Sequence, residues 1–259
     1  MQPSIHGPGK TRPAPARDPA CGGRNLASTA QDHSATVTPD ERWLGTVWPF
    51  VRDHLPAPPA RVVDLGCGPL GGFVPMLRAS GYEAVGVDPD APHGAGYHRI
   101  QFEHAELPRQ DDAVVASTSL HHVTDADAVI DRISGTLAPG GTAVIVEWDW
   151  KTFDEPTARW CFQRLASTER PGWLHRHRDE WAGSGQEWDA YLRAWTQREG
   201  LYAGERLLRS LDRRFERLLM ARGPYFFPDL AGTSEADERA AIDAGRIRAT
   251  RIDYVGKLR

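Results

Sequence analysis

The stretch RVVDLGCGPLGG, residues 61–72, passes from a short apolar run into a turn with glycines at 66, 68, 71 and 72. Val62, Val63 and Leu65 mark a buried strand, and the following GGFVPMLRASG is a helix closed by Gly81. Working outward, YEAVGVD is a second strand, RIQFEHA a third and DAVVASTS a fourth. DADAVIDRISGTL is then a helix, and APGG turns into TAVIVEW, the fifth strand. Strands alternating with helices define an α/β domain whose mainly parallel sheet is covered on both faces. Ligands of such sheets bind beyond the carboxyl ends of the strands, and the glycine-rich turn stands at one of those ends.

The flanks differ in texture. Residues 1–37, rich in Pro, Gly and Arg, lack the apolar surface to order themselves and are expected to form a flexible tail. Order begins at Thr38, which can cap a helix with Glu41 three residues on and Pro39 in the first position. The domain therefore runs over 38–259. Within it, residues 151–200 are dense in Trp and Arg and break at Pro171-Gly172 and Gly183-Ser184-Gly185, which marks a helical insertion acting as a cap. Beyond it AGERLLRSL is a helix, and RRFERLLMA either continues it or forms a strand. A helix over TSEADERAAIDAG and a strand-like RIRATRIDYVG follow.

The 259 residues carry 31 Lys and Arg against 35 Asp and Glu, a net charge of −4. That balance leaves no electrostatic footprint for nucleic acid or an anionic membrane. No apolar run reaches the roughly 18 residues of a membrane span, and the N-terminus lacks a signal-peptide core. Cys21, Cys67 and Cys161 are too few and too scattered for a disulfide framework or a zinc site, and fit a reducing cytoplasm.

The turn itself can be read two ways. Gly66, Gly68 and Gly71 give G-x-G-x-x-G, a dinucleotide fingerprint, while Asp64, Gly66 and Gly68 give D-x-G-x-G, a turn suited to S-adenosylmethionine. Both use backbone N–H groups at a helix N-terminus to receive an anion. Asp64 separates them, because a carboxylate beside a pyrophosphate is repulsive whereas one beside an amino-acid ammonium is not. Asp88, 20 residues after Gly68, could accept hydrogen bonds from a ribose in either case.

VVDLGCGPLGG, AVGVDPD, HAELP, DAVVASTSLHHV and LAPGGTAVIVEWD, in this order, resemble a class I S-adenosylmethionine-dependent methyltransferase of the subgroup acting mainly on small molecules. The likeness covers about residues 40–150. It implies a Rossmann-like fold with a mainly parallel seven-stranded sheet, helices on both faces and a helical cap. It implies S-adenosylmethionine as cofactor and S-adenosylhomocysteine as product. By the same resemblance Asp64, Gly66, Cys67 and Gly68 frame the methionine end, Asp88 takes the ribose, and Pro89 lies by the adenine. Ala105 and Glu106 face the adenine edge, and Ser117 contacts the methionine part. Two positions depart from the family pattern: Leu70 stands where a third glycine is frequent, so that the turn relies on Gly71, and His104 stands where Asp is frequent.

Methyl transfer from a sulfonium is an in-line displacement, so positioning supplies most of the rate and a base matters only for a weakly acidic acceptor. His121 and His122 after the fourth strand, and Glu147 and Asp149 at the end of the fifth, are the candidates for that base. His175 and His177 lie on opposite sides of a helix with no third ligand, so no metal is expected and a solvated face is the better reading. Trp181, Trp188 and Trp195 recur every seven residues, a stripe that either packs as core or walls an apolar, ring-containing substrate. The resulting expectation is O- or N-methylation of a small organic acceptor, apolar or aromatic, without nucleic-acid or membrane partners and with a homodimer left open. A Pro-, Arg- and Trp-rich composition like that of high-GC bacterial enzymes points to secondary-metabolite biosynthesis. Open beside it stand a cofactor-binding protein with other chemistry, a silent partner subunit, and, more distantly, an NAD-dependent oxidoreductase.

Overall fold

The computed structural model describes residues 37–105, 110–123, 125–168 and 171–259. The expected tail, except for Val37, and Glu106 lie outside them. Seven strands form one sheet: β1 Arg61–Leu65, β2 Glu83–Val87, β3 Tyr97–His98, β4 Asp111–Ser117, β5 Leu137–Trp148, β6 Phe215–Gly223 and β7 Arg251–Leu258. Their order is β3-β2-β1-β4-β5-β7-β6. The first five pair in parallel, while β7 runs antiparallel to both β5 and β6. The order in which the chain lays down its strands reverses between β1 and β4, which opens a crevice at their carboxyl ends.

Alternation along β1 explains the layering. Val62 joins one apolar cluster with Val47, Phe73 and Leu77, from helices α1 (Pro39–Asp53) and α2 (Val74–Ala79) and the turn before α2. Val63 joins the opposite cluster with Ile130, Ile133 and Leu211, from α3 (Ala126–Thr136) and α7 (Gly204–Arg214). Both faces of the sheet are thus buried, as a parallel sheet requires. The α1 capping box forms as read from the sequence. Glu41 N–H donates to Thr38 Oγ1 at 3.2 Å and Thr38 N–H to Glu41 Oε2 at 2.8 Å, a cap worth about 1 kcal/mol.

A third cluster begins at Trp148, the end of β5, and extends over the helices beyond it. It joins α4 (Glu155–Phe162), α5 (Trp173–Ser184) and α6 (Trp188–Glu199) through Trp160, Leu174, Trp188 and Leu192. Phe226, Leu230 and Ala241 of α8 (Glu235–Asp243) complete it. Among the described residues no helix is long and apolar enough to cross a membrane.

Three expectations need correction. The third strand is only Tyr97–His98, and Phe102–His104 is a 3-10 turn. This edge strand has one neighbour, and Phe102 turns back to pack on the α3 side of the core. APGG is not a turn ahead of the fifth strand but part of it. Leu137 already pairs with Asp111, and Gly140, at φ +72°, takes up the bend. RIRAT precedes β7 instead of opening it. In RRFERLLMA, Arg213 and Arg214 end helix α7 and the rest opens strand β6 against β7, so the stretch takes both readings left open by the sequence.

Candidate active site

Three hollows adjoin at the carboxyl ends of β1, β2, β4 and β5. The first, about 220 Å³, is bounded by Asp40, Trp43, Asp64, Gly66, Gly68 and Ser117, among others. The second, about 210 Å³, includes Gly66, Asp88, Pro89, Phe102 and His122 in its wall. The third, about 470 Å³, opens between Thr118, His121, His122 and the Trp-rich helices. Gly66 borders the first two, Thr118 the first and third, and His122 the second and third.

Gly66 turns the chain at φ +75°, and its N–H donates to Val87 O at 2.8 Å. A Cβ there would lie 2.2 Å from that of Ser119, so both conformation and space demand glycine. A Cβ on Gly68 would meet nothing within 4 Å. Gly71, at φ +81°, lies under Tyr97, while Leu70 is exposed; Gly71 is the third glycine of the turn.

Asp64 is buried, and its Oδ2 accepts the Phe73 N–H at 2.7 Å, tying β1 to the start of α2. Its Oδ1 bonds no described residue. Burial lifts the carboxyl pKa to about 7, against the pull of the Phe73 amide. Burial likewise pushes the Cys67 thiol up to about 12, so it stays protonated and unreactive. Asp88 Oδ1 accepts the Asp90 N–H at 2.7 Å, which leaves Oδ2 without a partner among the described residues. Ser117 Oγ accepts the Trp43 indole N–H at 2.9 Å, fixing α1 as a wall of the first hollow.

The adenine-edge expectation shifts. Ala105 is buried, its N–H donates to Phe102 O at 3.1 Å, and its carbonyl accepts from Arg132. It does not border the second hollow, where Gln101, Phe102 and Glu103 stand instead. The Phe102 aromatic was the available signal, obscured by placing it in a strand.

Glu147 is fully buried and has no free oxygen. Oε1 accepts the Ser119 and Leu120 amides at 2.8 and 2.6 Å, while Oε2 accepts the Trp148 amide at 3.1 Å and meets His121 Nδ1 at 2.6 Å. In this arrangement Glu147 braces the loop after β4 and orients His121. A carboxylate opposite Nδ1 places the proton there and leaves Nε2 as the acceptor. His122 packs against His121 with centroids 4.1 Å apart and the rings tilted by 41°. Although water reaches it, its recessed setting and the neighbouring imidazole push its pKa down to about 4. Asp149 is also occupied, by the Gly204 N–H at 3.1 Å and Arg222 at 2.8 Å.

Sequence reasoning missed two features. Thr118 lies at φ +53°, a conformation β-branched residues rarely adopt, at the junction of the first and third hollows. His177 belongs to no solvated face: it is buried, and its Nδ1 lies 2.8 Å from Tyr191 Oη. His175, by contrast, is half-buried, with Nε2 2.8 Å from Ala166 O. Among the described residues no cluster of His, Cys, Asp or Glu could hold a metal ion. Of the tryptophan stripe, Trp188 is buried core and Trp195 borders the third hollow, facing Trp148, Trp173 and Tyr225.

A family model described as a methyltransferase domain matches residues 44–198, more than half of the chain. An uncharacterised methyltransferase of Mycobacterium tuberculosis is 32% identical over 135 residues, covering 48% of this chain and 66% of that protein. A trans-aconitate 2-methyltransferase of Variovorax paradoxus is 35% identical over 124 residues, 43% of this chain and 46% of that one. The chain thus spans less than two thirds of either relative. In fold, it matches the crystal structure of an S-adenosylmethionine-dependent methyltransferase from Mesorhizobium loti with a TM-score of 0.51 at 19% identity, over 82% of this chain and 97% of that one. Fold, motif and family model agree: the chain belongs to the class I S-adenosylmethionine-dependent methyltransferases. The cofactor fits the first two hollows, where the free Asp64 Oδ1, the free Asp88 Oδ2 and the open space over Gly68 lie along one path.

Proposed function

We propose that the chain transfers the methyl group of S-adenosylmethionine to oxygen or nitrogen of a small organic acceptor seated in the third hollow. The meeting of that hollow with the cofactor hollows at Thr118 and His122 carries this reading. When bound, the cofactor supplies an electrophilic methyl on a sulfonium that departs neutral.

The chain's residues supply the rest. Asp64 and Asp88 hold the ammonium and ribose ends. His121 Nε2 accepts the acceptor's proton, and Glu147 keeps His121 in the tautomer that can do so. Residues 151–200 cap the acceptor and exclude water. Trp148, Trp173, Trp195 and Tyr225 provide flat apolar walls, which favour a ring-containing acceptor. Arg176 and Arg198 are balanced there by Glu180 and Glu199, so the lining selects a neutral acceptor over a carboxylic acid such as the Variovorax enzyme's name indicates. Composition supports a place in secondary-metabolite tailoring.

Calorimetric titration with S-adenosylmethionine, S-adenosylhomocysteine and NAD tests the cofactor, and an acceptor screen read by S-adenosylhomocysteine release tests the reaction. Binding of both adenosyl ligands, weakened by Asp88→Ala, is the expected result. Binding of NAD alone would overturn the reading.

A further inference from the structure

The third hollow contains a second supported imidazole that methyl transfer does not require. His177, on α5, borders the hollow while buried in the cap, packed edge-on against Trp195 and Trp173 with centroids 4.3 and 5.6 Å away. Its Nδ1 lies 2.8 Å from Tyr191 Oη on α6, and that hydroxyl donates to Glu180 Oε2 at 3.1 Å. Tyr191 has one proton, given to Glu180, so its oxygen must accept from His177 Nδ1–H. The imidazole is thereby fixed with a lone pair on Nε2, which bonds no described residue. Burial keeps it neutral, its pKa pushed down to about 4 despite the nearby Glu180 and Glu199.

The arrangement repeats that of His121, whose Nδ1 proton is held by Glu147 and whose Nε2 is equally unpartnered. Two imidazoles with unpartnered Nε2 atoms therefore border one hollow, one in the turn after β4 and one on the cap. Trp148 and Trp195, with centroids 6.2 Å apart, link them by ring contacts. Two fixed acceptors among aromatic walls call for a ligand that donates twice. A buried polar group left unpaired weakens binding, so a ligand with one donor is at a disadvantage.

We propose that His177 is a specificity-determining residue. Its Nε2 accepts a hydrogen bond from a second protic group on a flat acceptor of two or three fused rings, whose first protic group meets His121. This rests on the methyl-transfer reading and names the acceptor class for the same site. No bond is made or broken at His177.

The test compares 2,6- and 2,7-dihydroxynaphthalene with 2-naphthol by calorimetry, on the full chain saturated with S-adenosylhomocysteine. His177→Asn keeps an amide at the Nδ1 position toward Tyr191 and removes the acceptor at Nε2; His177→Gln restores an acceptor near that point. A diol bound about tenfold tighter than the mono-ol, a preference lost in His177→Asn and partly regained in His177→Gln, supports the proposal. Near-UV circular dichroism and retained S-adenosylhomocysteine binding show that the variants fold. Equal affinities for diol and mono-ol, or a preference that survives in His177→Asn, overturn it and leave methyl transfer standing. Failure of every naphthol to bind a protein that holds S-adenosylhomocysteine overturns the acceptor class. Failure to bind S-adenosylhomocysteine defeats the underlying reading instead.

Discussion

Glu147 Oε2 lies 2.6 Å from His121 Nδ1, while the other oxygen of the same carboxylate gathers two successive amides of the loop after β4. One fully buried side chain thus shapes the backbone beneath the third hollow and aims the imidazole above it. Glu147→Ala would strand these donors without solvent. A loss of about 3–5 kcal/mol in urea unfolding is expected, and a cost below 1 kcal/mol would show that water replaces the carboxylate.

Glu147→Gln separates the two tasks. The amide oxygen can still accept from Ser119 and Leu120, but its NH₂ faces His121 Nδ1 and favours a proton on Nε2, the wrong tautomer. Turnover of a weakly acidic acceptor is expected to fall about 10²-fold or more, with cofactor affinity changed little. Equal kcat in the two proteins would remove His121 as the base.

With Asp64 receiving the ammonium as proposed, cofactor affinity is expected to depend on pH. Its folded pKa of about 7 lies above the ordinary carboxyl value of 3.8, so between these limits the folded protein retains a proton the unfolded chain has released. That contribution to stability is full below the lower value and is lost as pH rises through about 7. An ammonium ligand needs the ionised form, so its affinity moves the other way. S-adenosylhomocysteine should bind about tenfold more weakly at pH 5.5 than at pH 8, with proton release visible in calorimetry across buffers. Asp64→Asn should bind weakly at both, and a flat wild-type profile would assign the ammonium to another group.

Gly66→Ala sets a backbone requirement against a steric one. The methyl group would occupy a positive-φ residue and press on the Ser119 side chain. More than about 2 kcal/mol of stability should be lost, along with measurable cofactor binding. Wild-type affinity in this variant would mean that the turn has room the geometry denies.

How much was legible in the sequence follows from the range of the interactions. Strands β1, β2, β4 and β5 and the turn at Gly66 are set by apolar runs and glycines a few residues apart, so reading along the chain finds them. Asp64 and Asp88 follow because each sits beside its own strand end. His177 was misplaced because its partners, Tyr191 and Glu180, and the indoles around it become neighbours only when α5 and α6 pack together. Glu147 was legible as a strand-end residue able to bond loop amides, but not that those amides, Ser119 and Leu120, lie 28 and 27 residues away. Phe102 was hidden because a strand was expected over 99–105, whereas the edge strand ends at His98 and Phe102 opens a 3-10 turn, and the strain at Thr118 leaves no trace in composition.

The cluster above the sheet draws on two distant parts of the chain: helices α4 to α6, and the Phe226, Leu230 and Ala241 contributions from beyond β6. If the cap selects the acceptor as proposed, that selectivity is not a cassette. Transplanting residues 151–200 alone into a sister scaffold would carry the walls without the floor they stand on. Recombination of this family for new acceptors has to exchange both segments together, or rebuild the seam between them.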